Sequence, residues 1–593
     1  MRRLRWVLGP VLVGLLLAAG CGDDDAPVDD GSRPDSNEDT GADADAPGPD
    51  ADADADAPEP DADADADAPE PDADADDADA DADAPEPDAD ADAPGPDADA
   101  DAPPEADGGF DGYVEVHFGT TATPPAEVLR VGTGGIVLRG VVLAPDRTIA
   151  PGEVYVGGDG NIACVAADCG GTPGASTATL VETHGVISPG LIDAHNHLAY
   201  NFLPEWVPEP PRLFRNRYEW ADDPQYEAHI LPYAAHRSAG THYCPAAKWG
   251  ELRSLLHGTT TVQGQSYQQA CVNWGVRNAD HYHGLGYDHM RTTIASVRDI
   301  TDAEAADYVA AFSAPTNPTT RLAVHMTEGY DGSGVLEEFD SFAGRDPRPN
   351  RHAGTSLLIP PTSLLIHCLT MTPAQIEEAR AARASIVWSP SSNWVLYGRT
   401  APIEEFLATE GLTVAIAPDW TPSGEDEMLS EMRFGWLYGR AEGIEALTPE
   451  RLWRMATVEA ATAVGLEARI GRLAVGYAGD VVVFGRRGPD PYAAVLDSRA
   501  ADVRLVLIGG RGMYGDAGLQ AATAWNPYCE PFDACGAPKY VCVRESPTAT
   551  DRRNETLSDI RTQLYNILEG IGYPPEEQYH RGDELLELVD CTR

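Results

Sequence analysis

Five side chains in this sequence are of types that hold a divalent cation, and each follows an apolar run. His195 and His197 close the stretch Pro189-Gly190-Leu191-Ile192-Asp193-Ala194-His195-Asn196-His197. His325 ends Leu322-Ala323-Val324, His367 ends Leu364-Leu365-Ile366, and Asp419 ends Val414-Ala415-Ile416-Ala417-Pro418. Alternate residues of an extended strand share a face, so His195 and His197 can reach one ion. Any one of these residues alone reads as a polar group satisfied within a fold; their recurrence at separate strand ends reads as a site. A second pair, His281 and His283, lies in a Gly- and Tyr-rich stretch and reads as surface loop. Imidazoles with one carboxylate suit Zn2+ and leave a coordination position for water. A cation so held brings the water pKa towards ~7 and polarises the bond to be hydrolysed.

The elements that must position these residues alternate between two periods. Strand-like runs at 185–193, 259–263, 292–297, 322–325, 363–369, 385–389 and 412–419 alternate with helical patterns at 373–384, 402–410 and 449–464, each of the latter with Pro in its first turn. Such repetition across 185–470 predicts the α/β class and a (β/α)8 TIM-type barrel, whose active sites form at the carboxyl ends of the strands. Short apolar segments broken by Gly and Asp precede it, at 128–131, 135–143 and 152–156, and others follow, at 479–484 and 503–509. They predict a small composite β-sandwich, 111–184 with 471–520, into which the barrel is inserted. Residues 521–593, with four cysteines and an amphipathic stretch at 556–570, read as a separate Cys-containing C-terminal extension.

His-x-His after Pro-Gly-Leu-Ile-Asp, then His325-x-x-Glu328, a single His367 and the strand-end Asp419 resemble the amidohydrolase superfamily, in its cytosine-deaminase and chlorohydrolase-like branch. The likeness runs from about Val128 to Gly515 and takes in Gly258-Thr259-Thr260-Thr261 and Ser389-Pro390-Ser391-Ser392-Asn393. Ala417-Pro418 departs from the Gly-Thr usual before the Asp. The resemblance implies that His195, His197, His325 and Asp419 are metal ligands, that Glu328 is a proton shuttle, and that His367 contacts the hydrolytic water or developing oxyanion. It implies that Asp419 takes the water proton and Glu328 carries it to the leaving nitrogen. Binuclear relatives bridge two ions with a carboxylated Lys on a mid-barrel strand. The only lysines, Lys248 and Lys539, fall elsewhere, so one ion is expected, zinc with iron as the alternative.

The implied reaction is hydrolysis of a non-peptide carbon–nitrogen bond, by cyclic amide opening or by deamination of a nitrogen heterocycle. Carbon–halogen or phosphoester hydrolysis, or a surface binding protein that has lost catalysis, are the alternatives, because a fold does not fix a reaction. The substrate is expected to be a small molecule. Trp220, Asn393, Trp394 and Trp420 are the candidates to contact it, and Trp206, Tyr218 and Tyr397 lie on similar loops. Arg399 and the segment Asn216-Arg217-Tyr218-Glu219-Trp220 could meet an anionic or amide group.

Charge and cysteine use set the surroundings. The 593 residues carry a formal net charge of −56, and roughly three dozen Asp and Glu lie in 22–110 against the single Arg33. No basic patch offsets this, which excludes nucleic acid as a partner. The 22–110 stretch of Asp-Ala doublets with interspersed Pro has almost nothing to bury and reads as a disordered spacer. Residues 1–21 read as a bacterial lipoprotein signal: Arg2, Arg3 and Arg5, an apolar run too short to span a bilayer, then Leu17-Ala18-Ala19-Gly20-Cys21, with Cys21 accepting lipid. The expected place is thus the cell envelope, with membrane contact only through that anchor; oligomeric state is not legible. Of ten cysteines, Cys21 set aside, an odd number remains. Cys368, within an apolar strand, is the candidate free thiol. Cys164 with Cys169, Cys244 with Cys271, and Cys529, Cys535, Cys542 and Cys591 form local groups in which disulfides are plausible outside the cytoplasm.

Overall fold

Eight parallel strands carry the site. In the computed structural model the first three, Leu191–Asp193, Thr259–Val262 and Arg277–Asn278, form one arc. The other five, Met290–Thr293, Arg321–Met326, Ser363–His367, Ser385–Trp388 and Thr413–Ile416, form a second. The structure describes residues 118–591 apart from 232, 234–242, 265–270, 272–273, 282–283, 287–289, 294–299, 317, 332–333, 346–353 and 571–584. Among the described residues no ladder joins the third strand to the fourth, so the barrel is not closed there. The first and eighth strands meet through the parallel bridge of Asn196 with Asp419. The expected strand at 292–297 lies partly outside the described residues, as do His283, the signal segment with Cys21, and the spacer.

Alternation along these strands separates two apolar clusters. Ala323, Leu364, Ile366, Val387 and Ala415 join one; Leu322, Val324, Leu365, Ile386 and Val414 join the other. Both sides are buried, as a parallel sheet flanked by helices requires. The helix starts follow the sequence signals where Thr precedes Pro. Thr372 makes a capping box for Pro373–Ala381, and the Thr448 side chain caps Pro449–Met455. Two expectations change. Pro402 is the N-cap of Ile403–Ala408 rather than part of its first turn. The single helix expected at 449–464 is two, because at Thr457 the backbone leaves helical geometry before Val458–Ala463 begins.

The accessory strands belong to one ten-stranded sheet. Its halves join where Val481–Phe484 pairs antiparallel with Val186–Pro189. Residues 185–189, expected in the first barrel strand, therefore belong to this sheet, and the barrel begins at Leu191. Pairing is also not uniformly antiparallel: Gly135–Ala144 and Thr179–Pro189 run parallel. The C-terminal segment is not a separate extension, since the hairpin Glu530–Ala534 and Ala537–Val541 continues the same sheet from Arg511–Asp516. Buried Tyr540 and Val541, and the Lys539 ammonium held by the carbonyls of Ala501 and Val503 and by Asp516, anchor it. The amphipathic helix, Leu557–Gly570, packs on Tyr243–Leu256. Disulfides join Cys164–Cys169, Cys244–Cys271, Cys529–Cys542 and Cys535–Cys591, and Cys368 is free and buried. Among the described residues no helix is long and apolar enough to cross a membrane.

Candidate active site

His195, His325, His367 and Asp419 each offer a ligand atom, all within 4.8 Å of one another, and all four residues are buried. His197 completes the group, its Nε2 3.3 Å from Asp419 Oδ1. The backbone brings them together by two routes. His325 shares its strand face with Ala323, so pleating aims it inward, whereas Asp419 keeps the parity of Ala415 and Ala417 but lies past the end of its strand at Ile416, in left-handed backbone. His195 and His197 lie past the end of their strand at Asp193. Their convergence depends on the Asn196 bridge and on the His197 N–H donating to the Asp419 carbonyl at 2.9 Å. Gly264 (φ +122) permits this close approach, since a Cβ there would sit 1.5 Å from the Asn196 oxygen.

His367 and Asp419 both have φ of 71, and Thr327, between His325 and Glu328, has φ of 44. Non-glycine residues in this region cost about 1–3 kcal/mol each and cluster where function fixes the backbone. At Asp419 this geometry coexists with Ala417-Pro418 in place of the familiar Gly-Thr, and the carboxylate still reaches the histidines.

The hydrogen bonds leave a demand for positive charge at the centre. Gln263 Oε1 pairs with His195 Nδ1 at 3.2 Å, and Asn393 Oδ1 with His367 Nδ1 at 2.9 Å. With amide oxygens accepting there, both rings carry their proton on Nδ1 and present an Nε2 lone pair. Yet His195 Nε2 stands 3.1 Å from Asp419 Oδ1, where two lone pairs would repel. Burial opposes charging His195, but Asp419 outweighs it and raises the pKa. Burial pushes His367 down to about 4, and burial with the neighbouring imidazoles holds His325 well below its usual value. Burial would raise Asp419, but its bonds to His195 and His197 hold it far down, so it stands as a carboxylate among the imidazoles. That donor set fits a divalent cation.

Glu328 faces the group from one side. Its Oε1 accepts from the Tyr397 hydroxyl at 2.6 Å, and its Oε2 lies 3.6 Å from His367 Nε2. Neither Oε2 nor that Nε2 has a hydrogen-bond partner. Burial raises the Glu328 pKa to about 7 against the nearby Arg217 charge, the range in which a carboxyl both takes and gives a proton at neutral pH. Ser392 donates to Asp419 Oδ2 at 2.7 Å and fixes that carboxylate.

Of the expected substrate contacts, Trp420 and Trp220 come together at 5.7 Å between ring centroids, with Tyr226 5.0 Å from Trp220 and Trp420 5.6 Å from His197. They form an aromatic wall beside the histidines. Asn393 is fully buried and spent on His367 and Thr400, so it orients His367 rather than meeting substrate. Trp394 packs against Tyr438. Tyr397 holds Glu328 instead of forming a lid, Arg217 pairs with Glu338 at 3.0 Å, and Arg399 lies over the Tyr330 ring. Lys248 is in a helix, bonded to the Arg552 carbonyl and stacked on Trp274, away from the barrel strands. Gln263 and Ser392 had no role in the sequence reading, although Ser392 lies in the Ser389-Pro390-Ser391-Ser392-Asn393 stretch and Gln263, directly after a barrel strand, carried the same signal as the histidines.

Residues 310–513, which hold His325, Glu328, His367, Asn393 and Asp419, match the amidohydrolase family. The chain is 25% identical over 429 residues to a 5-methylthioadenosine/S-adenosylhomocysteine deaminase of Moorella thermoacetica, covering 66% of this chain and 98% of that protein. It is 22% identical to a 5'-deoxyadenosine deaminase of Methanothermobacter thermautotrophicus, over 59% of this chain and 86% of the other. The fold is also similar to the crystal structure of guanine deaminase from Bradyrhizobium japonicum, with a TM-score of 0.52 and 17% identity, over 65% of this chain and 100% of that one. Members of the amidohydrolase family bind a divalent metal, and the buried His and Asp group here is of a kind that could hold one.

Proposed function

We propose that the protein deaminates an aminopurine, replacing an exocyclic amino group by oxygen, with one zinc ion held by His195, His197, His325 and Asp419. The protein is a metal-dependent hydrolase acting on non-peptide carbon–nitrogen bonds; the proposal concerns which bond, which metal and which residues. The observation that carries it is the pairing of a buried imidazole and carboxylate group with Glu328 at 3.6 Å from His367. A bound cation would supply an acidified water and an electrophilic anchor for the ring. Asp419, ionised and held by Ser392, takes a proton from the attacking water. Glu328 delivers a proton to the departing amine, which leaves as ammonia, while His367 contacts the hydrolytic water or the developing oxyanion. The Trp420, Trp220 and Tyr226 wall offers flat apolar faces to a planar heterocycle. Deaminases of adenine nucleosides among the relatives support an aminopurine over a cyclic amide.

Ammonia release from a panel of adenine nucleosides and guanine, alongside ring opening of cyclic amides, tests the choice. Ammonia from at least one aminopurine is the expected result. Ring opening without ammonia release would overturn deamination.

We further propose export to the cell envelope with Cys21 as the lipidated residue, supported by the Arg-rich and apolar start of the chain and by the four disulfides. Cys21→Ser is expected to abolish incorporation of a fatty-acid probe. Equal labelling of both forms would remove the anchor.

A further inference from the structure

We propose that Tyr397 is a positioning residue that confines the mobile proton of Glu328 to one carboxyl oxygen, Oε2, and that Trp220 sets the direction in which Tyr397 donates. This rests on Glu328 carrying the proton in the reaction proposed above.

The argument begins with donors. An indole N–H can only donate, and Trp220 Nε1 lies 2.8 Å from the Tyr397 oxygen. With that donor in place, the hydroxyl spends its single proton on Glu328 Oε1, 2.6 Å away. Oε1 is then an acceptor whether Glu328 is charged or neutral, so the proton that comes and goes resides on Oε2. That oxygen and His367 Nε2 are both buried and without partner, 3.6 Å apart, at the place where reacting atoms must arrive.

Glu328 needs such a support because its strand ends at Met326 and the backbone turns through Thr327. No pleat fixes its direction. Tyr397 closes the helix Pro390–Tyr397, which also carries Ser392 and Asn393. One rigid helix therefore orients Asp419 through Ser392, His367 through Asn393, and Glu328 through Tyr397. Misdirection of a proton donor by a fraction of an ångström lowers turnover without altering affinity.

Tyr397→Phe removes one hydroxyl at almost unchanged volume. Turnover is expected to fall roughly ten- to hundredfold with KM and bound metal unchanged. In a Glu328→Gln background the same change should cost less than about twofold, because both substitutions break one device. Trp220→Phe should lower turnover less and add nothing to Tyr397→Phe. A readout independent of turnover is the indole 1H–15N resonance of Trp220 in metal-free protein, located by its loss in Trp220→Phe. Loss of the Tyr397 acceptor should shift it upfield. Wild-type turnover in Tyr397→Phe, factors that multiply with Glu328→Gln, or an unmoved Trp220 resonance would overturn the assignment. If Glu328→Gln loses turnover while Tyr397→Phe does not, the shuttle stands and this inference alone fails; if Glu328→Gln itself keeps full turnover, the shuttle and the inference fall together.

Discussion

Glu328→Gln is expected to keep its metal and lose turnover by roughly 10²–10⁴-fold. The amide has nearly the shape of the carboxyl and can still accept the Tyr397 hydrogen bond at Oε1, so the local packing persists. It cannot take up and release a proton at the position Oε2 occupies, next to His367 Nε2. Because burial holds the native carboxyl near pH 7, where it exchanges protons readily, the loss should fall on kcat and not on metal affinity. Metal content by elemental analysis and steady-state kinetics on the same preparation decide the matter. Loss of metal would make Glu328 a ligand. Full turnover would leave Asp419 to carry both proton transfers.

His325→Ala should behave differently, with metal and activity lost together. Wild-type protein is expected to hold close to one ion per chain, and the variant close to none. His325 is buried beside His195 and His197, with ring centroids 4.8 and 5.6 Å away, and burial keeps it neutral, so one ring nitrogen has a lone pair available to a cation. Removing it leaves a hole in the donor set that no neighbouring residue of the strand can fill, since Val324 and Met326 face the other way. Turnover below detection with metal still bound would show that His325 acts on substrate instead. Two ions in the wild-type protein would contradict the single-metal reading.

The site residue most legible in the sequence is the one where pleating alone does the aiming. His325 ends a run whose parity is set by Ala323 and sits where that parity sends it, while Asp419, past the end of its strand, needs a left-handed backbone as well. His367 does not fit the rule: Ile366 faces the inner cluster, and only the left-handed backbone at His367 turns the next side chain to the site. The same holds for the paired histidines. Their alternation suggested one strand face, but the strand stops at Asp193 and the bridge to Asp419 does the aiming. The joining of the accessory sheet's two halves was legible, but not its full extent, because hydropathy marks a strand without marking its partner. Nothing in 530–541 says that it continues the sheet from Arg511–Asp516.

What the sequence by itself determined was therefore the inventory and its order: ligand-type residues at strand ends, a shuttle three residues after His325, no lysine on a barrel strand, and cysteines in local groups. These are properties of type and spacing, which local backbone geometry translates into position without long-range information. Only the tertiary structure decided which groups hold them in place. Gln263 on His195, Asn393 on His367, Ser392 on Asp419 and Tyr397 on Glu328 join residues 26 to 69 positions apart in the chain. Such bonds form between separate strands and helices whose approach is set by packing, so no local pattern announces them.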